Sequence, residues 1–214
     1  MSTELIDISM PLTEDMPVWP GSPGHAARLV KSLAGGDPVD ATELTLELHT
    51  GTHLDAPSHM FPGAATMGEY DLATAFGKAL VVDTGAASRI DASVLEGLGI
   101  PTGTERLLLR TRNTTGVPLH SRTFTEDYAA LTLDGAECLV SWGIRLVGID
   151  YLSIQRFEDP VDTHHTLFRG GVTILEGLQL DDVEPGHWEL VCLPLSLPGL
   201  EAAPARAVLR RHGR

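Results

Sequence analysis

Three histidines and an aspartate fall within eleven residues of the chain, in the stretch HTGTHLDAPSH. They are His49, His53, Asp55 and His59. Imidazole and carboxylate groups suit Zn²⁺ and Mn²⁺, and three such ligands with a water molecule form a catalytic metal site. Any one of these histidines alone would be interpreted as an ordinary polar residue, but their crowding beside a carboxylate predicts a metal site. The HExxH motif is absent, so the site is not the helical arrangement of the zincins.

A second group of such residues lies at Asp162, His164 and His165, followed by Glu176 in GVTILEGL. Adjacent side chains point in different directions in any regular element, so we expect only one of the two histidines to face a site. A glutamate in an apolar run is usually exposed to solvent and less often a buried ligand, because a buried charge must be paired or must coordinate a metal. This group alone is weak evidence for a site. However, the three ligands of the first cluster do not complete the coordination of a metal ion, so we expect further ligands from distant parts of the chain.

The elements around the first cluster must bring its members together. In ATELTLELH, leucine alternates with polar residues, which predicts a half-buried strand with His49 on its polar face. Residues four apart on a strand lie about 13 Å apart at about 3.3 Å per residue, too far for His49 and His53 to share a metal. The strand must therefore end near His49. Gly51 permits a turn there, and Pro57 opposes a return to regular structure. Such a turn would bring His53 and Asp55 back beside His49.

Strand-like runs outnumber helix-like segments in the rest of the chain. Strands are predicted at LIDISM, ARLVKSL, LTLELHT, ALVVDT, RLLLRT, IRLVGID and WELVCLPL. Helices are predicted at SVLEGLG, with Asp91 as the N-cap, and from Thr125 to a stop at Gly143. In the longer helix Thr125 is the N-cap, and a break is expected near Gly135. We therefore expect one α/β domain over residues 1–214, with a mixed sheet curved around a pocket and helices packed outside.

The composition excludes several classes of protein. A net charge of −14 and a pI near 4.9 argue against a nucleic-acid-binding surface, and the arginine-rich segment 206–214 is interpreted as a solvated basic tail. The start lacks the positive charge of a signal peptide and no apolar run could span a membrane, so we expect a cytoplasmic protein without membrane contact. Cys138 and Cys192 lack CxxC spacing and are interpreted as reduced core residues. The absence of GxSxG disfavours a serine hydrolase.

The stretch HTGTHLDAPSH resembles the HxGTHxDxPxH signature of the metal-dependent cyclase/hydrolase family, which includes bacterial kynurenine formamidase and isatin hydrolase. Three further segments resemble the family in the same order along the chain: IDISMPLTEDMPVWPG, VGIDYLSI and DTHHTLFRGGVTILEGL. The resemblance implies a compact, mixed-sheet, barrel-like α/β domain of the swivelling β/β/α type, with helices packed outside, in a homodimer or homotetramer.

The resemblance also implies the ligands of one or two metal ions in each subunit. His49, His53 and Asp55 bind the first ion, and Asp55 also bridges to the second. His164 binds the second ion, and Glu176 bridges the pair. The expected ion is Zn²⁺, with Mn²⁺ as the alternative, because both accept nitrogen and oxygen ligands of these types.

Two more residues gain roles from the same resemblance. His59 is the catalytic proton donor and acceptor rather than a ligand. Trp19 contacts an aromatic substrate, with an aromatic position in the core as the alternative. His164 rather than His165 is the ligand because it lies twelve residues before Glu176. Whether His165 also contributes to the site is left open.

These features together predict a divalent-metal-dependent amide hydrolase. The resemblance makes an arylformamidase of tryptophan catabolism the first expectation, cleaving N-formyl-L-kynurenine to kynurenine and formate by attack of a metal-bound hydroxide. The alternatives are the opening of a cyclic amide, as in isatin hydrolase, and a non-catalytic metal-binding member of the family. An unligated His59 speaks against the non-catalytic alternative, because metal binding alone does not require it.

Overall fold

The structure of the chain, a computed structural model, describes residues 3–116, 121 and 123–212. Most strands in these residues belong to one mixed sheet, and the others form two small two-stranded ribbons. In chain order the strands are β1 (Thr3–Asp7), β2 (His25–Lys31), β3 (Ala41–Leu46), β4 (His53–Asp55), β5 (Phe76–Asp83), β6 (Arg89–Ile90), β7 (Arg106–Arg110), β8 (Ala130–Leu131), β9 (Leu146–Ile149), β10 (Thr173–Glu176), β11 (Gly186–Pro194) and β12 (Ala202–His212).

Helices in the same residues are short. The α-helices are α1 (Ala92–Gly97), α2 (Arg112–Thr115), α3 (Leu133–Ser141) and α4 (Asp162–Arg169). Single turns of 3₁₀-helix lie at Leu33–Gly35, Pro57–His59, Met67–Glu69 and Leu72–Ala75.

The main sheet closes on itself. Its strand order is β1-β12-β11-β5-β7-β9-β10-β4, and β12 also pairs with β4. Seven strands therefore form a closed barrel, and β1 extends it as an additional strand beside β12. The strands β5, β7, β9 and β10 run parallel, whereas the other pairs of this sheet are antiparallel. This is the mixed, barrel-like α/β fold that was predicted.

Apolar residues fill both faces of the barrel sheet. In β7, Leu107 and Leu109 belong to a core shared with the helix residues Leu95 and Leu139. Leu108, between them, belongs to a second core with Leu175 of β10. Near-continuous apolar runs are typical of parallel strands that are covered on both faces. The helices therefore pack outside the barrel, as expected.

A strand lies before His49 as predicted, but the prediction that it is half-buried is wrong. β3 ends at Leu46 and pairs with β2 in a ribbon apart from the barrel. Leu44 is 54% exposed, since within the described residues this ribbon adds no buried side chain to either core. The alternating sequence therefore indicates an amphipathic strand, but not one that is buried within its own chain.

The longer predicted helix begins later than expected. α3 starts at Leu133 rather than just after Thr125, because residues 130–131 form β8, which pairs with β6. Gly135 lies inside α3, where a Cβ atom would come within 2.3 Å of a backbone carbonyl oxygen. It therefore permits close packing instead of breaking the helix. The stop at Gly143 is confirmed, with a φ of 75° just beyond α3.

The segment 206–214 is not a solvated tail as far as residue 212. β12 continues to His212 and pairs with both β1 and β11, whereas residues 213 and 214 lie outside the described residues. Ala207 and Leu209 are buried in the second core. Apolar residues therefore alternate with charged residues along this strand, and the high arginine content made this pattern difficult to recognise.

Three smaller predictions also have outcomes. The Asp91 carboxylate accepts a hydrogen bond from the Val94 N–H, so Asp91 caps α1 as predicted. Cys138 and Cys192 are both free, and Cys192 is buried. Nowhere in the described residues is a helix both long enough and apolar enough to cross a membrane.

Candidate metal centre

β4 presents His53 and Asp55 on one face, because residues two apart on a strand point the same way. Leu54, between them, points to the opposite face and packs in the second core. Gly51, with a φ of 71°, turns the chain between His49 and β4. The turn brings the ring centroids of His49 and His53 to 5.0 Å from each other. The turn predicted at Gly51 is therefore present.

β10 and α4 supply the two distant residues. The antiparallel register of β10 and β4 places Glu176 opposite His53. Glu176 is 3% exposed. It is therefore buried, which is the less common of the two positions considered for a glutamate in an apolar run. From α4, His164 places its Nε2 at 3.5 Å from Glu176 Oε1. A Cβ on Gly177 would lie 2.2 Å from the Gly51 carbonyl oxygen, so the absence of a side chain at Gly177 allows the close approach of these segments.

The assembled side chains form a compact and mostly buried cluster. His53 Nε2 lies 3.4 Å from Asp55 Oδ1 and 3.4 Å from Glu176 Oε2. His49 Nδ1 lies 2.9 Å from Asp55 Oδ1. Apart from His49, which is partly exposed, the members are buried. The structure thus brings all five predicted ligands together: His49, His53, Asp55, His164 and Glu176.

The hydrogen bonds of the cluster leave a place for a cation. Nδ1–H of His53 donates to the Gly51 carbonyl at 2.9 Å, so the Nε2 lone pair faces the Asp55 and Glu176 carboxylates. His53 Nε2 and both Asp55 oxygens are buried without a well-aligned hydrogen bond in the described part of the chain, although His49 Nδ1 approaches Asp55 Oδ1 to 2.9 Å. Lone pairs and carboxylates that face each other away from water need a cation between them. This donor set fits a divalent metal ion.

The same contacts set the ionisation of the cluster. Burial would raise the pKa of the Asp55 carboxyl, but His49 and His53 hold that pKa well below its usual range. Burial would lower the pKa of His53, yet Asp55 and Glu176 raise it well above its usual value. A proton on His53 and a metal ion therefore compete for the same place.

Two residues outside the ligand cluster orient its members. The Ile154 N–H donates to Glu176 Oε1 at 2.7 Å. Gln155 Oε1 lies 3.2 Å from His164 Nδ1, and the Gln155 amide donates to the Asp159 carbonyl at 3.2 Å. Such contacts fix the direction in which a ligating ring or carboxylate points. No spacing pattern in the sequence indicates Ile154 or Gln155.

His59 stands beside the ligands at the end of the 3₁₀ turn Pro57–His59. Its ring centroid is 4.1 Å from that of His49 and 6.3 Å from that of His164. Burial lowers the pKa of His59 against the opposing charge of Asp55, so the ring is neutral at pH 7. Ligand atoms of His49, Asp55 and His59 also lie close enough to surround one ion. The assignment of His59 as a proton carrier rather than a ligand stays a prediction.

The adjacent histidines of α4 diverge. His164 faces the ligand cluster, whereas the His165 ring lies beside Phe61, with ring centroids 4.8 Å apart. The structure therefore places His164, rather than His165, with the ligands.

A cleft of about 520 Å³ opens onto the cluster. One wall is aromatic, with the Trp19 ring centroid 5.4 Å from that of Phe157 and 5.0 Å from that of Phe124. Trp19 is 36% exposed, so the structure places it in the cleft wall and not in the core. Apolar side chains complete the lining: Met60, Leu152 and Val161.

Comparisons with known proteins agree with this geometry. The family model Cyclase, described as "Putative cyclase", matches residues 6–156. Cyclase-like protein 2 of Oryza sativa subsp. japonica is 39% identical over 213 residues, which cover 96% of this chain and 78% of the relative. Kynurenine formamidase of Bacillus mycoides (strain KBAB4) is 35% identical over 212 residues, which cover 98% of each chain. A solved structure of a "predicted metal-dependent hydrolase" from Bacillus stearothermophilus has a TM-score of 0.85 and 33% identity, over 99% of this chain and 100% of that one.

Proposed function

The chain belongs to the Cyclase family, and from this membership and its ligand cluster we propose that it is a divalent-metal-dependent hydrolase of carbon–nitrogen bonds other than peptide bonds. Its proposed substrate is N-formyl-L-kynurenine, cleaved to kynurenine and formate. One observation carries the proposal: Asp55 Oδ1 and Glu176 Oε2 each lie 3.4 Å from His53 Nε2, and within the described residues this nitrogen and both Asp55 oxygens are buried without a hydrogen bond. The relative named kynurenine formamidase supports the choice of substrate.

The ligands divide into two groups around shared carboxylates. His49, His53 and Asp55 would hold one ion, and His164 with Glu176 would hold a second. A bound divalent ion lowers the pKa of water from 15.7 to about 7 and polarises an amide carbonyl. We propose Zn²⁺, with Mn²⁺ as the alternative, because both accept this donor set.

His59 supplies the acid–base chemistry. Its neutral ring can accept the proton that the attacking water loses and can return this proton to the leaving nitrogen. Protonation of that nitrogen is required because an unprotonated amine anion is a poor leaving group. The ring lies beside His49 without being buried among the ligands, so it can face a substrate in the cleft.

The cleft matches an aryl amide in size and character. Ligand pockets of roughly 300–1,000 Å³ with apolar and aromatic walls are typical of small-molecule sites. Trp19 and Phe157 offer ring faces and edges against which an aromatic substrate can pack. Such packing would orient the amide carbonyl towards the ligand cluster.

A substrate comparison tests this proposal. The full chain, loaded with Zn²⁺ or Mn²⁺, is offered N-formylkynurenine and, separately, isatin, with turnover followed by absorbance. We expect turnover of N-formylkynurenine that is lost on treatment with a chelator and restored by one of the metals. If the protein hydrolyses only isatin, the proposed substrate is wrong and the substrate is a cyclic amide. No turnover of either, by protein shown to hold metal, would leave a non-catalytic metal-binding protein.

A further inference from the structure

Arg156 is the only arginine or lysine among the described residues that line the cleft. It directly follows Gln155, which orients His164, so its backbone belongs to the rigid frame of the ligand cluster. Its side chain is 25% exposed. The Nε atom is buried and has no hydrogen-bond partner among the described residues. The unpaired Nε shows that contacts among the described residues do not use all of the hydrogen-bonding capacity of this guanidinium.

The nearest acidic side chain does not satisfy this donor. Asp159 Oδ1 lies 3.7 Å from Arg156 Nε, beyond the range of a normal N–H···O hydrogen bond. The Asp159 N–H donates to the Arg156 carbonyl at 3.3 Å, so the two residues are held in one turn. Asp159 therefore balances part of the charge and positions the segment, but it leaves hydrogen-bonding capacity for a further anion.

The acidic side chain of the opposite cleft wall is already engaged. The Glu47 carboxylate accepts a hydrogen bond from the Ser22 hydroxyl at 3.1 Å and another from the His49 N–H at 3.2 Å. These bonds hold it against its own loop. Among the described residues that line the cleft, Arg156 is thus the one whose permanent positive charge can pair with an anion.

The position of Arg156 relates it to the aromatic wall. Phe157 follows it in the chain and packs against Trp19. A substrate whose ring packs on this wall would have its amide near the ligand cluster, and a substituent on the ring could reach the guanidinium. The net charge of −14 repels anionic groups from the molecule as a whole, and a local cation in the cleft offsets this repulsion for a substrate carboxylate.

We propose that Arg156 selects aryl amides that carry a carboxylate, by pairing its guanidinium with that carboxylate. The inference rests on the proposed amide hydrolysis and assigns recognition of the substrate carboxylate to Arg156. Guanidinium and carboxylate groups can form two parallel hydrogen bonds, which fix the orientation of the substrate as well as its affinity.

Two substrates that differ in the amino-acid end, which carries an ammonium group and a carboxylate, test the role of Arg156. Of these two groups only the carboxylate can pair with a guanidinium. N-formylkynurenine carries this carboxylate, and 2′-formamidoacetophenone keeps the ring, ketone and formamide but lacks the amino-acid end. For the metal-loaded Arg156→Gln variant, we expect kcat/KM for N-formylkynurenine to fall about 10- to 100-fold, mainly through KM, as for the loss of a charge-assisted pair. The neutral substrate should change by less than about twofold. Arg156→Lys should retain part of the preference, because it keeps the charge but not the paired geometry.

A matched arginine provides the control. Arg89, exposed on β6 and outside the cleft lining, should tolerate Arg89→Gln without change for either substrate. Equal losses on both substrates in Arg156→Gln would make Arg156 a general structural or catalytic residue and overturn the proposal. Unchanged kinetics on both substrates would overturn it as well.

Binding of the products separates failure of this inference from failure of the proposed function. Calorimetry with metal-loaded protein compares kynurenine with 2-aminoacetophenone. We expect wild type to bind kynurenine more tightly, and Arg156→Gln to lose that difference, even if wild type hydrolyses neither formamide. Absence of turnover would then refute the proposed reaction alone. Wild type with no preference for kynurenine, or Arg156→Gln with an unchanged preference, would refute the role of Arg156.

Discussion

The surroundings of the site histidines shift their pKa values in different directions. Contacts with Asp55 raise the pKa values of His49 and His53 although burial opposes this, whereas burial lowers the pKa of His59. Rings held against carboxylates are placed to share a metal ion with them. A ring that stays neutral beside the ligands is placed to carry a proton.

The His59→Ala variant tests this division of roles. We expect it to keep the metal content of the wild type, since the ligands remain, while kcat falls by about 10²- to 10⁴-fold through loss of the acid–base group. Metal content by mass spectrometry and kcat are measured on the same preparation. His165→Ala is the matched control, because His165 packs beside Phe61, and it should keep both quantities. Loss of an equivalent of metal from His59→Ala would make His59 a ligand.

At this scale the sequence contains the ligands but not the residues that orient them. His49, His53 and Asp55 are recognisable because their types and spacing are unusual for any other purpose. Ile154 acts through its backbone N–H, and Gln155 acts through its side-chain oxygen. Contacts of that kind arise from the folded geometry and leave no pattern in the sequence.

Among the elements, two short strands of the barrel hold the chemistry. β4 and β10 have three and four residues, and their pairing places His53 opposite Glu176. Neither was predicted, because a strand of this length has too few residues to show a period, and its existence depends on its neighbours. The start of α3 was misjudged for a related reason: a short bridge to β6 takes residues 130–131 that have helix-like composition.

The contact between Gly177 and Gly51 holds β10 and the turn before β4 together. Gly177→Ala should lower the free energy of unfolding by more than about 2 kcal/mol, because the left-handed φ of 70° costs roughly 1–2 kcal/mol and the Cβ would also collide with a backbone oxygen. Urea denaturation measures the change. Gly171→Ala has a similar φ of 72° but open space around the Cβ, so it should show the conformational cost alone. Equal destabilisation by both substitutions would contradict the importance of this contact.

For the whole molecule, barrel closure was expected from the resemblance and not from any local pattern. It depends on β12 pairing with both β11 and β4, a contact between distant parts of the chain.

The ribbon of β2 and β3 exposes apolar side chains to solvent. One of its faces is apolar, with Leu29 55% and Leu44 54% exposed. Two-stranded ribbons are marginally stable in water, and an exposed apolar face of this kind is suited to contact with another surface.

We propose that a second copy of the chain covers this apolar face, in the expected homodimer or homotetramer. Leu44→Glu should then weaken the assembly, because it places a charge in an apolar contact. Sedimentation velocity over a range of protein concentrations measures the effect. Thr45→Glu, on the opposite face of β3, is the matched control and should leave assembly unchanged. A wild-type protein that is monomeric at all concentrations, or equal effects of the two variants, would contradict this proposal.

The most direct test of the metal-dependent site is a Zn²⁺ titration of metal-free wild type and Asp55→Ala, followed by calorimetry. N-formylkynurenine turnover is measured on the same samples at every point. We predict that wild-type turnover rises in proportion to bound metal, and that Asp55→Ala loses both, because Asp55 contributes the carboxylate that contacts His49 and His53. Turnover by the metal-free wild type, or full metal binding and activity in Asp55→Ala, would contradict a catalytic metal at this cluster.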